Sequence, residues 1–142
     1  MGGGEVTRDE LTAALGKASK PSRELDGYIY MLTLPASRRR PVSWEVTPEG
    51  MIWAWTRNPP HAPGTGGWWA TPPEYTARVD AALTLVPERW NASIFTGCGI
   101  AEVEECMSLD DDRKCRIEQG EARTPAIALC IAALKAQEAT DD

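Results

Sequence analysis

The segment Thr124–Leu134 constrains this chain more than any other. Thr124 can accept a hydrogen bond from a free backbone N–H of a helix's first turn, and Pro125 suits the first helical position, where its missing N–H costs nothing. Ile127, Cys130, Ile131 and Leu134 then recur at i, i+3, i+4 and i+7, one face of a helix. Such a stripe must be buried against other elements, so the remaining chain has to supply a shared core. The 142 residues suffice for one domain. A folded chain of this size buries roughly 68% of the surface its unfolded form exposes, without help from metals or disulfides.

Two helices are expected near the start. Thr7-Arg8-Asp9-Glu10 has the form of a capping box, and Leu11, Ala14, Leu15 and Ala18 follow at helical spacing up to the break at Lys20-Pro21. Ser22 then serves as the N-cap of a second helix whose apolar face is Leu25, Tyr28, Ile29 and Leu32. Residues 35–74 differ in character, being rich in Pro, Gly and Trp. Within them Trp44-Glu45-Val46 and Ile52-Trp53-Ala54-Trp55 predict two strands around the turn Pro48-Glu49-Gly50, followed by a long loop over 57–74. A helix capped by Thr76, with Val79, Ala82, Leu83 and Val86 on one face, ends at Pro87. Three strands follow, over 90–95, 100–107 and 114–118, separated by Gly97-Cys98-Gly99 and Asp110-Asp111-Asp112. The expected class is α+β, with a mostly antiparallel sheet covered by helices, in a single domain spanning 1–142. Residues 1–6 and the acidic tail 137–142 are expected to be disordered or frayed.

Charge narrows the functional classes. Fifteen basic and twenty-one acidic side chains give a formal charge of −6. Such a surface repels a phosphate backbone, which argues against general nucleic-acid binding. No apolar run approaches the ~18 residues that a membrane span needs. The opening Met1-Gly2-Gly3-Gly4-Glu5 lacks the regions of a signal peptide, so a cytoplasmic protein is expected. The cysteines at 98, 106, 115 and 130 lack the close spacing of a zinc site and, in that compartment, are expected to stay reduced; no cofactor is expected.

Catalytic constellations are thin. His61, the only histidine, lies in a Pro/Gly-rich segment with no nucleophile elbow elsewhere. Glu102, Glu104, Glu105 and Asp110-Asp111-Asp112 have the oxygens a divalent cation needs, yet a solvated acidic edge and turn accounts for them as well. Gly64-Thr65-Gly66-Gly67 is followed by no P-loop lysine. The combination with most chemical content is arginine with tryptophan. Arg38, Arg39 and Arg40 offer forked donors matching phosphate oxygens. Trp53, Trp55, Trp68 and Trp69 offer faces on which a base can stack. These seven residues are the candidate ligand site. Of the tryptophans, the adjacent pair Trp68-Trp69 is the hardest to bury from one loop and so the best marker of an interface.

Three stretches resemble the phage ABA-sandwich domain family: Ser22-Arg23-Glu24-Leu25-Asp26-Gly27-Tyr28-Ile29, the run from Pro73 to Trp90, and the run from Gly120 to Leu134. The resemblance implies a small protein of a tailed phage or prophage, acting in the bacterial host, with a helix–sheet–helix sandwich and no catalytic motif. The expected function is therefore non-enzymatic: an accessory binding protein, in its concrete form a homo-oligomeric sponge that sequesters a small nucleotide signal of host immunity. One alternative is inhibition of a host defence protein through Trp68-Trp69. Another is a small metal-dependent hydrolase built on His61 and the acidic strand and turn.

Overall fold

The computed structural model describes residues 6–34, 43–55, 67–95, 97, 99–109 and 112–140. Helix α1 spans Arg8–Lys17 and α2 Arg23–Leu32; both begin as the caps dictate, with Thr7 Oγ1 accepting from the Glu10 N–H at 3.2 Å and Ser22 Oγ from the Leu25 N–H at 3.2 Å. Strands β1 (Ser43–Val46), β2 (Ile52–Trp55) and β3 (Gly67–Ala70) form one antiparallel sheet in that order. The short helix α3 (Val79–Leu83) precedes β4 (Asn91–Phe95), β5 (Ile100–Leu109) and β6 (Asp112–Glu121), a second antiparallel sheet. Helix α4 (Pro125–Thr140) closes the chain, with Thr124 Oγ1 accepting from the Ile127 N–H at 3.2 Å.

The class is α+β, with two separate three-stranded sheets where one sheet was expected. Its centre is α4. This helix packs on β4, β5 and β6 with one side and on α1 and α3 with the other, so residues 126–134 are buried all round rather than along a single stripe. Burial of Ile127, Leu129, Ile131 and Leu134 alone is worth roughly 6–12 kcal/mol at 1.5–3 kcal/mol each, comparable to the whole net stability of a domain. Ala101 and Val103 of β5 face this helix, while Phe95 and Ile117 lie exposed on the sheet's other face.

Sheet β1–β2–β3 is attached through α2. The turn after β1 places Gly50 at φ +89°, against the backbone and Cβ of Arg23, where an added Cβ would meet Arg23 atoms within 3 Å. Both the turn geometry and the close approach require glycine there.

Several expectations are corrected. β3 lies inside the segment read as a loop over 57–74, because among the described residues its ladder pairing is to β2 and nothing local in Gly67-Trp68-Trp69-Ala70 announces a strand. The helix before Pro87 has five residues, begins after Arg78 without a side-chain cap, and leaves Leu83 exposed. Helix α4 runs to Thr140, and Gln137 Nε2 donates to the Leu85 carbonyl at 2.7 Å. Val6 is buried in the core. Among the described residues no helix is long and apolar enough to cross a membrane.

Candidate functional site

The alternation of a β-strand sorts the candidate tryptophans onto two faces. In β2, Ile52 and Ala54 are buried, so Trp53 and Trp55 project to the opposite side. The register pairs Trp53 with Trp69 of β3 and Ala54 with Trp68. Trp69 therefore joins Trp53 and Trp55 on the outer face, whereas Trp68 turns inward with Trp44 and packs against the core. Trp44 meets Tyr28 of α2 edge-on, ring centroids 5.7 Å apart. The adjacent pair Trp68-Trp69 thus divides between inside and outside, as two neighbours in a strand must.

On the outer face Trp53 is 43% exposed and Trp69 61%, their ring centroids 6.3 Å apart at an interplanar angle of 36°. Cross-strand contact holds both rings in place without burying either, leaving a fixed aromatic platform facing solvent. Trp55 continues the row half-buried, opposite Ser43 and Gly67, and the exposed Met51 precedes it at the hairpin turn. Glu45 stands on the other side of Trp53 in β1, so an anion would approach this platform over Trp69 rather than over β1. Arg38, Arg39, Arg40 and His61 lie outside the described residues.

The same hairpin turn borders a shallow groove of about 700 Å³, walled by the end of α1, the start of α2 and Pro48-Glu49. Lys17, Lys20 and Arg23 line it. Sequence reasoning did not single out these cations, since they are scattered among ordinary helix-end positions; the fold brings them to one edge of the tryptophan sheet.

Beneath that edge lies a buried polar hub also missed from sequence. Asp26 is fully buried. Its Oδ1 accepts from the backbone N–H and the hydroxyl of Thr76, each at 2.8 Å, and its Oδ2 from Arg23 Nη1 at 2.8 Å. Arg23 Nη2 donates to the Pro72 carbonyl at 2.7 Å, and the Ser22 N–H to Thr76 Oγ1 at 2.9 Å. Nearby, the Cys130 thiol of α4 donates to the Tyr75 carbonyl at 3.3 Å. Thr76, expected as a helix cap, is instead the clamp between α2 and the segment that follows β3. A signal was present: Asp26 stands three positions before Ile29, on the apolar side of α2, where an unpaired carboxylate is untenable.

Burial holds the Asp26 carboxyl above its ordinary value of 3.8, against the opposing pull of Thr76 and Arg23. The folded state therefore binds this proton more tightly than the unfolded chain. The stability the group contributes is full below about pH 3.8 and is lost as pH rises through the folded value. Asparagine, neutral throughout, should accordingly gain on aspartate as pH rises across that window. Urea midpoints of the wild type and Asp26→Asn between pH 3 and 7 would show it; a difference moving the other way would mean the three donors outweigh desolvation. Burial also pushes the Tyr75 hydroxyl up to about 12 and the Cys130 thiol upward, so neither is ionised near neutrality.

Among the described residues no group of three His, Cys, Asp or Glu is placed to hold a metal ion. Glu102 and Glu104 lie on the face of β5 turned away from α4. Compared with protein-family models, curated proteins and solved structures, the chain matches none.

Proposed function

We propose that this chain is a non-enzymatic binding protein of a phage, a helix–sheet–helix relative that captures a small nucleotide-like ligand on the outer face of sheet β1–β2–β3. The observation that carries this is the exposed cross-strand pair Trp53–Trp69. Indole faces bind bases of any sequence, because every base presents a π-surface. Positive charge compensating for the overall acidity comes from Lys17 and Lys20, which line the groove at the turn after β1, and the sequence carries Arg38-Arg39-Arg40 shortly before β1. In its concrete form the protein is a cytoplasmic homo-oligomer that sequesters a nucleotide signal of host immunity.

Native mass spectrometry of the purified chain mixed with mono- and cyclic dinucleotides tests this, read beside quenching of tryptophan fluorescence. The expected result is a retained nucleotide and an affinity lowered about tenfold or more by Trp53→Ala with Trp69→Ala, matching ~1–3 kcal/mol per stacked base. Arg38→Glu with Arg39→Glu should weaken capture and its salt dependence together. No retained nucleotide and no quenching would sink the proposal. A second reading then stands on the same surface: Trp53, Trp69 and Met51 form an exposed apolar patch suited to a host defence protein, which the tryptophan variants would release.

A further inference from the structure

The hairpin formed by β5 and β6 is longer than its sheet. β4 pairs with β5 only from Phe95↔Ile100 to Asn91↔Glu104, whereas β5 and β6 stay paired as far as Leu109↔Asp112. Beyond Glu104 the two strands form an arm with no third strand among the described residues, and an isolated two-stranded ribbon is marginally stable in water. At its base Arg116 Nη1 donates to the Ala139 carbonyl near the end of α4, at 3.2 Å.

Within this arm the register sets Cys106 directly opposite Cys115. One step beyond Ile100↔Glu121 the Ala122 N–H donates to the Gly99 carbonyl at 2.8 Å, which makes 99↔122, and with it 109↔112, a hydrogen-bonded position of the ladder. Hydrogen-bonded and non-hydrogen-bonded pairs alternate along an antiparallel ladder, so 108↔113 is non-hydrogen-bonded, 107↔114 hydrogen-bonded and 106↔115 non-hydrogen-bonded. Cα atoms at non-hydrogen-bonded pairs lie about 4.5 Å apart, inside the roughly 4.4–6.8 Å that a disulfide spans. A shift of either strand by one residue would remove the match, since Cys106 would then stand opposite position 114 or 116.

We propose that Cys106 and Cys115 are a reversible redox pair that staples the hairpin arm. With a low-molecular-weight disulfide such as oxidised glutathione as the oxidant, one cysteine thiolate attacks a glutathione sulfur and expels one glutathione thiolate. The second cysteine thiolate then attacks the protein sulfur of this mixed disulfide and expels the other. The sum is two protein thiols and one glutathione disulfide giving one protein disulfide and two molecules of glutathione, with two electrons passing to the glutathione sulfurs and both thiol protons ending on glutathione. Cys130 takes no part in exchange, being buried in the core with its thiol held protonated.

The full-length chain equilibrated in glutathione buffers of graded ratio, alkylated, and mapped by non-reducing peptide mass spectrometry provides the test. A 106–115 cross-link that forms and reverses with the buffer is expected, together with amide exchange across 105–116 slowed about tenfold or more in the oxidised form. Cys106→Ser should lose both effects and keep the circular dichroism of the wild type, and Cys130→Ala should keep both. Stable glutathione adducts without a 106–115 cross-link would overturn the proposal, as would a cross-link through Cys98 or unchanged exchange in the oxidised arm.

Discussion

Replacing Asp26 by alanine should lower folding stability by about 2–4 kcal/mol, although the residue is fully buried. The loss comes from the partners left behind. The buried Thr76 N–H loses its acceptor, the Thr76 hydroxyl falls back on the Ser22 carbonyl at 3.1 Å, and the guanidinium of Arg23 keeps only Pro72. Arg23 is 32% exposed, so water recovers part of its share, which is why the figure stays below that of a fully enclosed ion pair. The same partners make the effect non-additive. Thr76→Val alone should cost less than Asp26→Ala, and the double variant should be little worse than Asp26→Ala itself, since both remove one network. Chemical denaturation of the three variants gives the cycle. Additive costs would show that the clamp between α2 and the 72–76 segment is not one cooperative unit.

Substitution of Gly120 by alanine is the second large effect, expected at about 3 kcal/mol or more, or roughly 10 °C in Tm. Gly120 sits in β6 against α4, and an added Cβ would overlap the Ala128 carbonyl oxygen and fall 2.7 Å from the Ala132 nitrogen. Both are helix backbone atoms and cannot rotate away, so strand and helix must separate along the interface that carries most of the core. Differential scanning calorimetry of Gly120→Ala would decide the matter. A Tm within a degree of wild type would show that β6 does not press on α4 at this point. Gly16, which has open space around it and no positive φ, is the matched control for a glycine-to-alanine change without close approach.

These two sites also mark how far the sequence could be read. The helices α1, α2 and α4 were legible because their caps and apolar spacing act within three or four residues, and Thr7, Ser22 and Thr124 make the bonds their positions predict. The hairpin β1–β2 was legible for the same reason, since Gly50 sets its turn, and β5 and β6 were expected as strands, though shorter than the Ile100–Leu109 and Asp112–Glu121 observed. Thr76 was misread because its strongest partner, Asp26, stands fifty positions away, outside any local pattern. Of the seven candidate site residues, the structure assembles Trp53, Trp55 and Trp69 on one face and sends Trp68 to the core side. Arg38, Arg39 and Arg40 fall outside the described residues. The basic groove at Lys17, Lys20 and Arg23 had no sequence signature at all.

By itself, then, the order of residues determined the α+β class, the three capped helices, the turns and the acidic balance, all of which follow from neighbouring side chains and composition. Only the tertiary structure decided that the strands form two sheets, that Gly67–Ala70 is a strand, that α4 is enveloped on all sides, and which tryptophans meet solvent. The physical reason is common to all four. Each depends on which distant segment supplies the partner for a backbone hydrogen bond or an apolar face, and local pattern leaves that choice open until the whole core is packed.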